Sequence, residues 1–358
     1  MQVAIVLPPN EGFAPGAVGA IGLLVHRLVR AGAEGAVVGA PTATVPFPGV
    51  QFLPAPPGLG LSRAARYVAG VARVLRLLKP ALIEVHNRPE VALGLARRFP
   101  GAPVVLWLNN DPQGMRRARS PAERAHLLAR MARVVTASDW IRRRLLDGVA
   151  APARPPVVLP NCIDLPVLPD GPRDPAFVFA GRVVADKGVD SFVAACAEVL
   201  PRLPGWRASI IGADRFSPSS PDTPFLRGLR PVAAAASVSM LGYRPHADVM
   251  AAMMRAAIVA VPSRWEEPFG LSALEALACG AALVCSPRGG LPEVAGDAAL
   301  YADPDVPGEL AAAMLRLAED GTLRGRLSVA GRARAATFSA DRAVAALLAL
   351  RQDILAGA

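Results

Sequence analysis

In the second half of the chain, Gly181-Arg182-Val183-Val184-Ala185-Asp186-Lys187-Gly188 sets an arginine and a lysine five residues apart, directly after an apolar run. An Arg fork and a Lys point charge on one loop suit a diphosphate, whose charge they neutralise without a metal ion. The chain has only one other lysine, Lys79. A second stretch begins at Pro262-Ser263-Arg264-Trp265-Glu266-Glu267-Pro268-Phe269-Gly270 and continues Leu271-Ser272-Ala273-Leu274-Glu275-Ala276-Leu277-Ala278-Cys279-Gly280. It reads as a strand end, a loop and a helix opening near Gly270 that Gly280 stops. The backbone N–H groups of Gly270 to Ala273 then sit at a helix N-terminus, where they suit phosphate. Glu275 lies just over a turn further on, and Glu267 lies in the loop ahead. Carboxylates are electrostatically wrong for a bare phosphate cradle. They make sense if Glu275 accepts two sugar hydroxyls and Glu267 faces a sugar that develops positive charge.

The first half offers weaker signals. Gly12, Gly16, Gly19 and Gly22 lead from a first strand into a helix, but their spacing is not G-x-G-x-x-G. The next strand ends Val37-Val38-Gly39-Ala40-Pro41 without an acid for a ribose, which argues against a dinucleotide site. What remains is a helix N-terminus approached by small residues, with Gly16 and Gly19 as candidate substrate contacts or as packing glycines. His86 and Asn87 close one strand, and Asn109-Asn110-Asp111 closes the next. His86 is read as a donor-sugar or acceptor contact or as a histidine packed at the domain interface, and Asp111 as a contact to an acceptor hydroxyl or a weak base. His26, His126 and His246 read as structural or surface residues.

Positioning these groups requires alternating strands and helices. Strands are expected near 3–7, 36–39, 81–86, 103–108, 133–137 and 156–159, with helices near 17–31, 62–78, 89–98, 120–131 and 139–147. A Pro-rich segment from Pro152 to Pro175 interrupts the pattern. Strands then follow near 176–180, 207–211, 237–241, 257–261 and 282–285. The matching helices fall near 188–200, 246–255, 271–279, 305–319, 321–336 and 340–355. The fold class is therefore α/β: two doubly wound, Rossmann-like domains that bind ligands at the carboxyl ends of their strands, in a cleft between them. Residues 1–165 form the first domain and 166–339 the second.

Composition bounds the partners. The chain has 358 residues, 53% hydrophobic and 19% charged, so it is neither disordered nor an acidic solvating chain. A mean hydropathy of +0.35 raises the question of a membrane span. The longest uncharged stretch, Gly35 to Ser62, carries six prolines and cannot be a spanning helix. No signal-peptide pattern opens the chain, so a cytoplasmic location is expected. Four scattered cysteines read as buried free thiols, and no metal-ligand motif is found. The formal charge of +10 is uneven: residues 1–165 hold 20 Lys+Arg against 9 Asp+Glu, and residues 166–358 hold 19 against 20. Without a basic–aromatic motif, nucleic acid is a poor partner for the basic half. An anionic acceptor or a membrane surface suits it, with Arg116-Arg117-Ala118-Arg119 and Arg142-Arg143-Arg144 as the candidate runs.

Pro262-Ser263, Glu267-Pro268-Phe269-Gly270-Leu271 and Glu275-Ala276 resemble the E-x7-E signature of retaining GT-B glycosyltransferases of family 4. Gly181-Arg182 and Lys187-Gly188 resemble that family's diphosphate-binding pair. Gly289-Gly290-Leu291-Pro292-Glu293 and Gly296-Asp297-Ala298-Ala299-Leu300-Tyr301 resemble its closing segments. Ile83 to Glu90 is similar to a strand end in bacterial cell-surface polysaccharide and lipopolysaccharide hexosyltransferases. The resemblance implies a GT-B fold whose last helix, about 340–358, crosses back to the first domain. It implies an acceptor-binding first domain and a donor-binding second one. Arg182 and Lys187 would hold a nucleoside diphosphate as it leaves, Glu275 the ribose and Glu267 the donor sugar. Phe269, Gly270 and Leu271 would contribute contacts to phosphate or sugar, the latter two through backbone, with Gly212 and Arg244 framing the base. No cofactor or metal is implied; the nucleotide sugar is a co-substrate, and the acceptor is a saccharide or lipid-linked saccharide at the inner membrane face. A sugar-nucleotide epimerase of the same fold and a non-enzymatic basic binding protein are the alternatives.

Overall fold

The computed structural model describes residues 2–215 and 219–357. The backbone divides into two compact units, Met1–Cys162 with Ala340–Ala358, and Ile163–Ser339.

The first unit runs β1 (Val3–Val6), a hairpin of β2 (Phe13–Ala14) and β3 (Ala17–Val18), α1 (Ala20–Arg30), β4 (Ala36–Gly39) and β5 (Phe52–Pro54). It continues with α2 (Arg63–Leu78), β6 (Leu82–His86), α3 (Pro89–Arg98), β7 (Val104–Leu108), α4 (Pro121–Arg130), β8 (Arg133–Thr136), α5 (Asp139–Leu146) and β9 (Val157–Val158). Seven of these strands form one parallel sheet in the order β5-β4-β1-β6-β7-β8-β9. β1, β6 and β7 are buried along their whole length, as expected of parallel strands covered on both faces. Serines start the helices: Ser62 and Ser138 each accept the amide three residues on, and Ser120 forms a capping box with Glu123.

The second unit runs β10 (Asp174–Ala180), α6 (Val189–Val199), β11 (Arg207–Ile211), α7 (Pro224–Ala235), β12 (Val238–Met240), α8 (His246–Arg255) and β13 (Ala256–Val261). It ends with α9 (Leu271–Ala278), β14 (Ala282–Cys285), α10 (Leu291–Ala295), β15 (Ala299–Tyr301), α11 (Glu309–Glu319) and α12 (Gly321–Ala336). Its six strands are parallel in the order β12-β11-β10-β13-β14-β15. The chain winds outward from β10 through β11 to β12, then returns to the other side of β10 at β13. That reversal is the topological switch point, where ligands of open α/β sheets bind. Phe177, Phe192, Val193, Ile210 and Met314 anchor the core on one face of this sheet.

The elements expected from the sequence are present, with some differences. The segment 17–19 is hairpin and N-cap rather than helix, because Pro15-Gly16 turns the chain with Gly16 at φ +74°. β5, β15 and the short α10 are three to five residues long and carry no periodicity to read. α7 hides behind Pro224 and Pro231, which sequence reading takes as breaks. All four cysteines are free and buried, and burial pushes the Cys285 thiol up to about 12.

The last helix, α13 (Ala340–Ala356), belongs to the first unit and packs against its core through Val344, Leu347 and Ile354. Its Arg351 donates through Nε and Nη2 to the two carboxylate oxygens of Glu84 on β6, each at 2.9 Å, and through Nη1 to the Glu34 carbonyl at 2.8 Å. Both side chains are almost fully buried, at 4% and 3% exposure. Removing one partner strands the other's charge, so Arg351→Ala is expected to destabilise the first unit by about 3–5 kcal/mol. The double variant Glu84→Leu/Arg351→Met should recover most of that loss. Denaturant unfolding of the three proteins checks both expectations.

Candidate functional site

The loops leaving β10 and β13 meet at the switch point of the second unit, and backbone contacts force the meeting. The Asp186 carbonyl accepts the amides of Arg264 and Trp265, both at 2.9 Å, and the Ser263 hydroxyl at 3.3 Å. Gly188, left-handed at φ +66°, would place a Cβ only 1.8 Å from the Pro262 carbonyl oxygen, so no other residue fits there. From the β11 side, the Ala213 carbonyl accepts the Val183 amide at 2.9 Å, and the Gly212 amide donates to Gly242 at the same distance. From the β14 side, the Gly290 amide donates to the Glu267 carbonyl at 2.6 Å, and the Gly289 amide to Glu266 Oε2 at 2.7 Å.

This stitching brings Lys187 and Glu267 into a direct ion pair between Nζ and Oε1. Both are largely buried, with side chains 24% and 10% exposed. A pair so placed must stay compensated, yet its edge is open enough for a ligand to exchange with either partner. Arg182, half-buried, stands at the start of the same loop. Gly270 is the left-handed N-cap of α9, and no side chain caps the helix there. The Ala273 amide is already used by the Gly270 carbonyl at 3.1 Å, so Ala273 drops out of the expected anion contacts. Leu271 and Ser272 remain in the uncapped turn, whose partial positive charge favours an anion.

Glu275 sits on α9, and His246 at the start of α8 donates through Nε2 to its Oε1 at 2.7 Å. His246, expected to be structural or surface, is a surface residue whose ring also holds the Glu275 carboxylate in place. No sequence signal connects the two residues, which are 29 positions apart. A second network missed by sequence reading braces the loop from behind. Arg264 pairs with Asp190 and Asp305 at 2.6 Å each, and Arg288 pairs with Asp303 at 2.8 Å and Asp305 at 2.7 Å. Hydrogen bonds from Arg264, then Arg288, hold the Asp305 carboxyl below the usual carboxylate range. The Asp305 pairs therefore stay ionised above that lowered value and are lost only as pH falls through it.

Several expected contacts are corrected by burial. Phe269 is buried and packs edge-on against Phe338 at 5.9 Å, so its ring serves the core rather than a ligand. Arg244 is not among them: it is exposed, and its guanidinium donates to the Tyr243 carbonyl at 3.3 Å. His86 points into the core of the first unit, 2% exposed, stacked on Trp107 at 5.2 Å among residues that include Glu84 and Arg351. Burial, reinforced by Arg351, pushes its pKa down to about 3, so it is a neutral core imidazole and touches no substrate. Asn87, buried and left-handed at φ +54°, clamps two strand ends by accepting the Asn109 amide at 3.1 Å. Asp111 is held by Arg144 at 2.8 Å and by the Gln113 amide at 2.9 Å.

The helix N-terminus after β1 is also taken. Glu11 accepts the Gly22 amide at 2.8 Å, and a Cβ on Gly19 would lie 2.5 Å from the same carboxylate. Its pKa is raised by burial against the opposing pull of the Gly22 and Gly19 amides and of Arg88. The first turn of α1 thus carries the chain's own carboxylate where a phosphate was expected. Gly16 is a hairpin-turn residue with open space around it. Among the described residues, no group of three His, Cys, Asp or Glu is placed to hold a metal ion.

Two family models match the chain: "Glycosyl transferases group 1" over residues 174–320 and "Glycosyltransferase Family 4" over residues 16–166. A protein of Segniliparus rotundus named D-inositol 3-phosphate glycosyltransferase is 37% identical over 126 residues, 35% of this chain and 28% of that protein. One of the same name from Mycobacterium tuberculosis is 34% identical over 235 residues, 60% of this chain and 47% of that protein. The chain thus spans less than half the length of these curated relatives. Among solved structures, sucrose-phosphate synthase from Thermosynechococcus elongatus superposes with a TM-score of 0.79 at 20% identity, covering 100% of both chains. Anabaena HepE in complex with UDP-glucose gives 0.75 at 18% identity, covering 98% of this chain and 99% of that one. At such identities the likeness speaks for the fold. Two parallel α/β sheets, two adjoining family matches and these neighbours place the chain among the family 4-like glycosyltransferases of the GT-B fold.

Proposed function

We propose that the protein is a retaining glycosyltransferase that moves a hexose-type sugar from a nucleoside-diphosphate sugar to a hydroxyl of a saccharide or lipid-linked saccharide. The observation that carries this reading is the Lys187–Glu267 pair beside the uncapped start of α9, at the switch point of the second unit. An arriving donor exchanges partners with that pair. Lys187 turns to the diphosphate together with Arg182, the Leu271 and Ser272 turn takes phosphate oxygens, and Glu267 is released toward the sugar. Glu275, held by His246, accepts the ribose hydroxyls. The named ligands of the structural neighbours, UDP and UDP-glucose, support a donor of this class.

In the transfer, the acceptor oxygen forms its bond to the anomeric carbon on the face from which the diphosphate oxygen departs. The acceptor proton passes to the departing phosphate. The residues that this chain offers are cations and helix amides for the leaving charge and carboxylates for the sugar, without a nucleophile–base pair. Stabilising the charge that develops on the diphosphate is therefore the main catalytic contribution. The cations take the part a divalent ion plays in other transferases, so the reaction is metal-independent. The charge excess of residues 1–165 suits an anionic acceptor at the inner face of the plasma membrane, and the curated relatives are named for a phosphorylated polyol.

Lys187→Ala is expected to lower turnover about 10²- to 10³-fold with the far-ultraviolet spectrum unchanged. Glu275→Ala should weaken nucleoside-diphosphate binding by about tenfold or more, through the loss of hydrogen bonds to a charged acceptor. His246→Ala should raise the donor KM severalfold with little change in kcat, and His246→Gln, which keeps an N–H donor, should restore most of it. Activity should persist in EDTA. A proton NMR time course of the first product formed should show the donor's own anomeric configuration; an inverted product would refute the mechanism.

A further inference from the structure

The arginine runs that first suggested a membrane contact do not carry it. Arg142 and Arg143 both pair with Asp139, and Arg144 is bound to Asp111. Arg116, Arg117 and Arg119 are exposed, but among the described residues no exposed large apolar side chain falls between positions 78 and 164. A different surface combines both chemistries. Between Glu34 and Glu84 the chain holds no acid at all, while Arg63, Arg66, Arg73, Arg76 and Lys79 supply five positive charges. Within the same span Leu59 is 96% exposed, Leu61 107% and Leu77 88%.

These leucines are held outward by a braced loop. Residues 56–60 lie along the side of α2 that carries Arg66, Ala69 and Arg73. Gly70 on α2 would place a Cβ 2.2 Å from the Pro56 carbonyl oxygen, so the loop backbone lies directly on the helix. Arg73 Nη2 donates to the carbonyls of Pro56 at 2.9 Å and Pro57 at 3.2 Å, and the Gly58 amide donates to the Arg66 carbonyl at 2.9 Å. With its backbone fastened to the helix, the loop leaves Leu59 and Leu61 only solvent to face. Arg63, Arg66, Arg73 and Leu77 share one face of α2, so a basic stripe with an apolar end runs beside the leucines.

We propose that this surface, the 56–61 loop with the outer face of α2, docks on an anionic lipid bilayer. Its leucines enter the headgroup–acyl boundary and its arginines meet the lipid phosphates. The inference rests on the reading of the first unit as the acceptor side, because a lipid-linked acceptor is met at such a surface. Nucleic acid fits the patch less well. A phosphate backbone gains nothing from protruding leucines, and the aromatic residues of the span are occupied: Tyr67 is buried, Phe52 stacks on Phe13 and Phe47 stacks on His26.

Co-sedimentation of the full chain with vesicles of phosphatidylcholine containing about 30 mol% phosphatidylglycerol tests the proposal. Wild type should partition onto these vesicles at low salt, and only weakly onto pure phosphatidylcholine. Leu59→Ser/Leu61→Ser and, separately, Arg63→Gln/Arg66→Gln should each reduce partitioning about tenfold or more. Arg142→Gln/Arg143→Gln should leave it unchanged. Retention of wild-type partitioning by the leucine pair would overturn the proposal, as would wild type binding neither vesicle. Tighter binding to duplex DNA than to the anionic vesicles, undiminished in the leucine pair, would assign the patch to nucleic acid instead. Nucleotide-sugar binding measured on the same proteins separates this inference from the glycosyltransferase reading. Vesicle binding without donor binding refutes only that reading, and donor binding without vesicle binding refutes only the docking surface.

Discussion

A single carbonyl, that of Asp186, fixes the loop after β10 against the loop after β13 by accepting two amides and a hydroxyl from Ser263 to Trp265. Everything at the donor side follows from this junction. It needs Gly188, because any side chain there would collide with the Pro262 carbonyl. It brings Lys187 to Glu267, two opposite charges that are mostly out of water and tolerate each other only as a pair. Under the proposed function such a pair would exchange: a diphosphate would offer the ammonium a stronger anion, and the displaced carboxylate would be left for the sugar. The loop cannot retreat to relieve the charge. Arg264 and Arg288 tie it to Asp190, Asp303 and Asp305 from behind, and the Asp305 pairs persist over the neutral range.

The first unit solves a different problem. Its buried charges are structural: Glu84 with Arg351 secures the C-terminal helix, and Arg124 spends its guanidinium on the carbonyls of Ala118, Arg119, Leu145 and Asp147. Even the start of α1 is closed by Glu11. The charge excess therefore acts outward, and in the 63–79 segment it stands beside leucines that the fold leaves exposed. Balanced charge in the second unit and a basic surface on the first account for the uneven distribution of net charge.

That the loops after β10 and β13 carry the candidate site was legible because the residues concerned are local. Arg182, Lys187, Glu267 and Gly270 lie within two short segments next to strong apolar strands, so type and spacing were enough to gather them. The elements were legible for the same reason, except where prolines masked α7 or where β5 and β15 were too short for a pattern. What failed was long-range. His86 looked exposed at a strand end, yet it shares the inward side of β6 with Glu84, and its environment is set by Arg351, more than 260 positions away. The Glu275–His246 contact and the Asp305 network also join distant segments, which no periodicity announces. In the 142–144 run, Asp139 pairs with Arg142 and Arg143 within α5 at helical spacing, and only the Arg144–Asp111 pair depends on how α5 is folded against its neighbours.

The central claim is that the junction of the β10 and β13 loops is a diphosphate site. A thermal-shift comparison of UDP, GDP and ADP with uridine, guanosine and adenosine tests it most directly. At a hundredfold excess over Kd a ligand contributes about 2.7 kcal/mol, roughly 5–10 °C for a domain of this size. The account predicts that one diphosphate raises Tm by such an amount while its nucleoside, at the same concentration, does far less. Equal shifts from the nucleoside and its diphosphate, or no shift from any diphosphate at millimolar concentration, would contradict it.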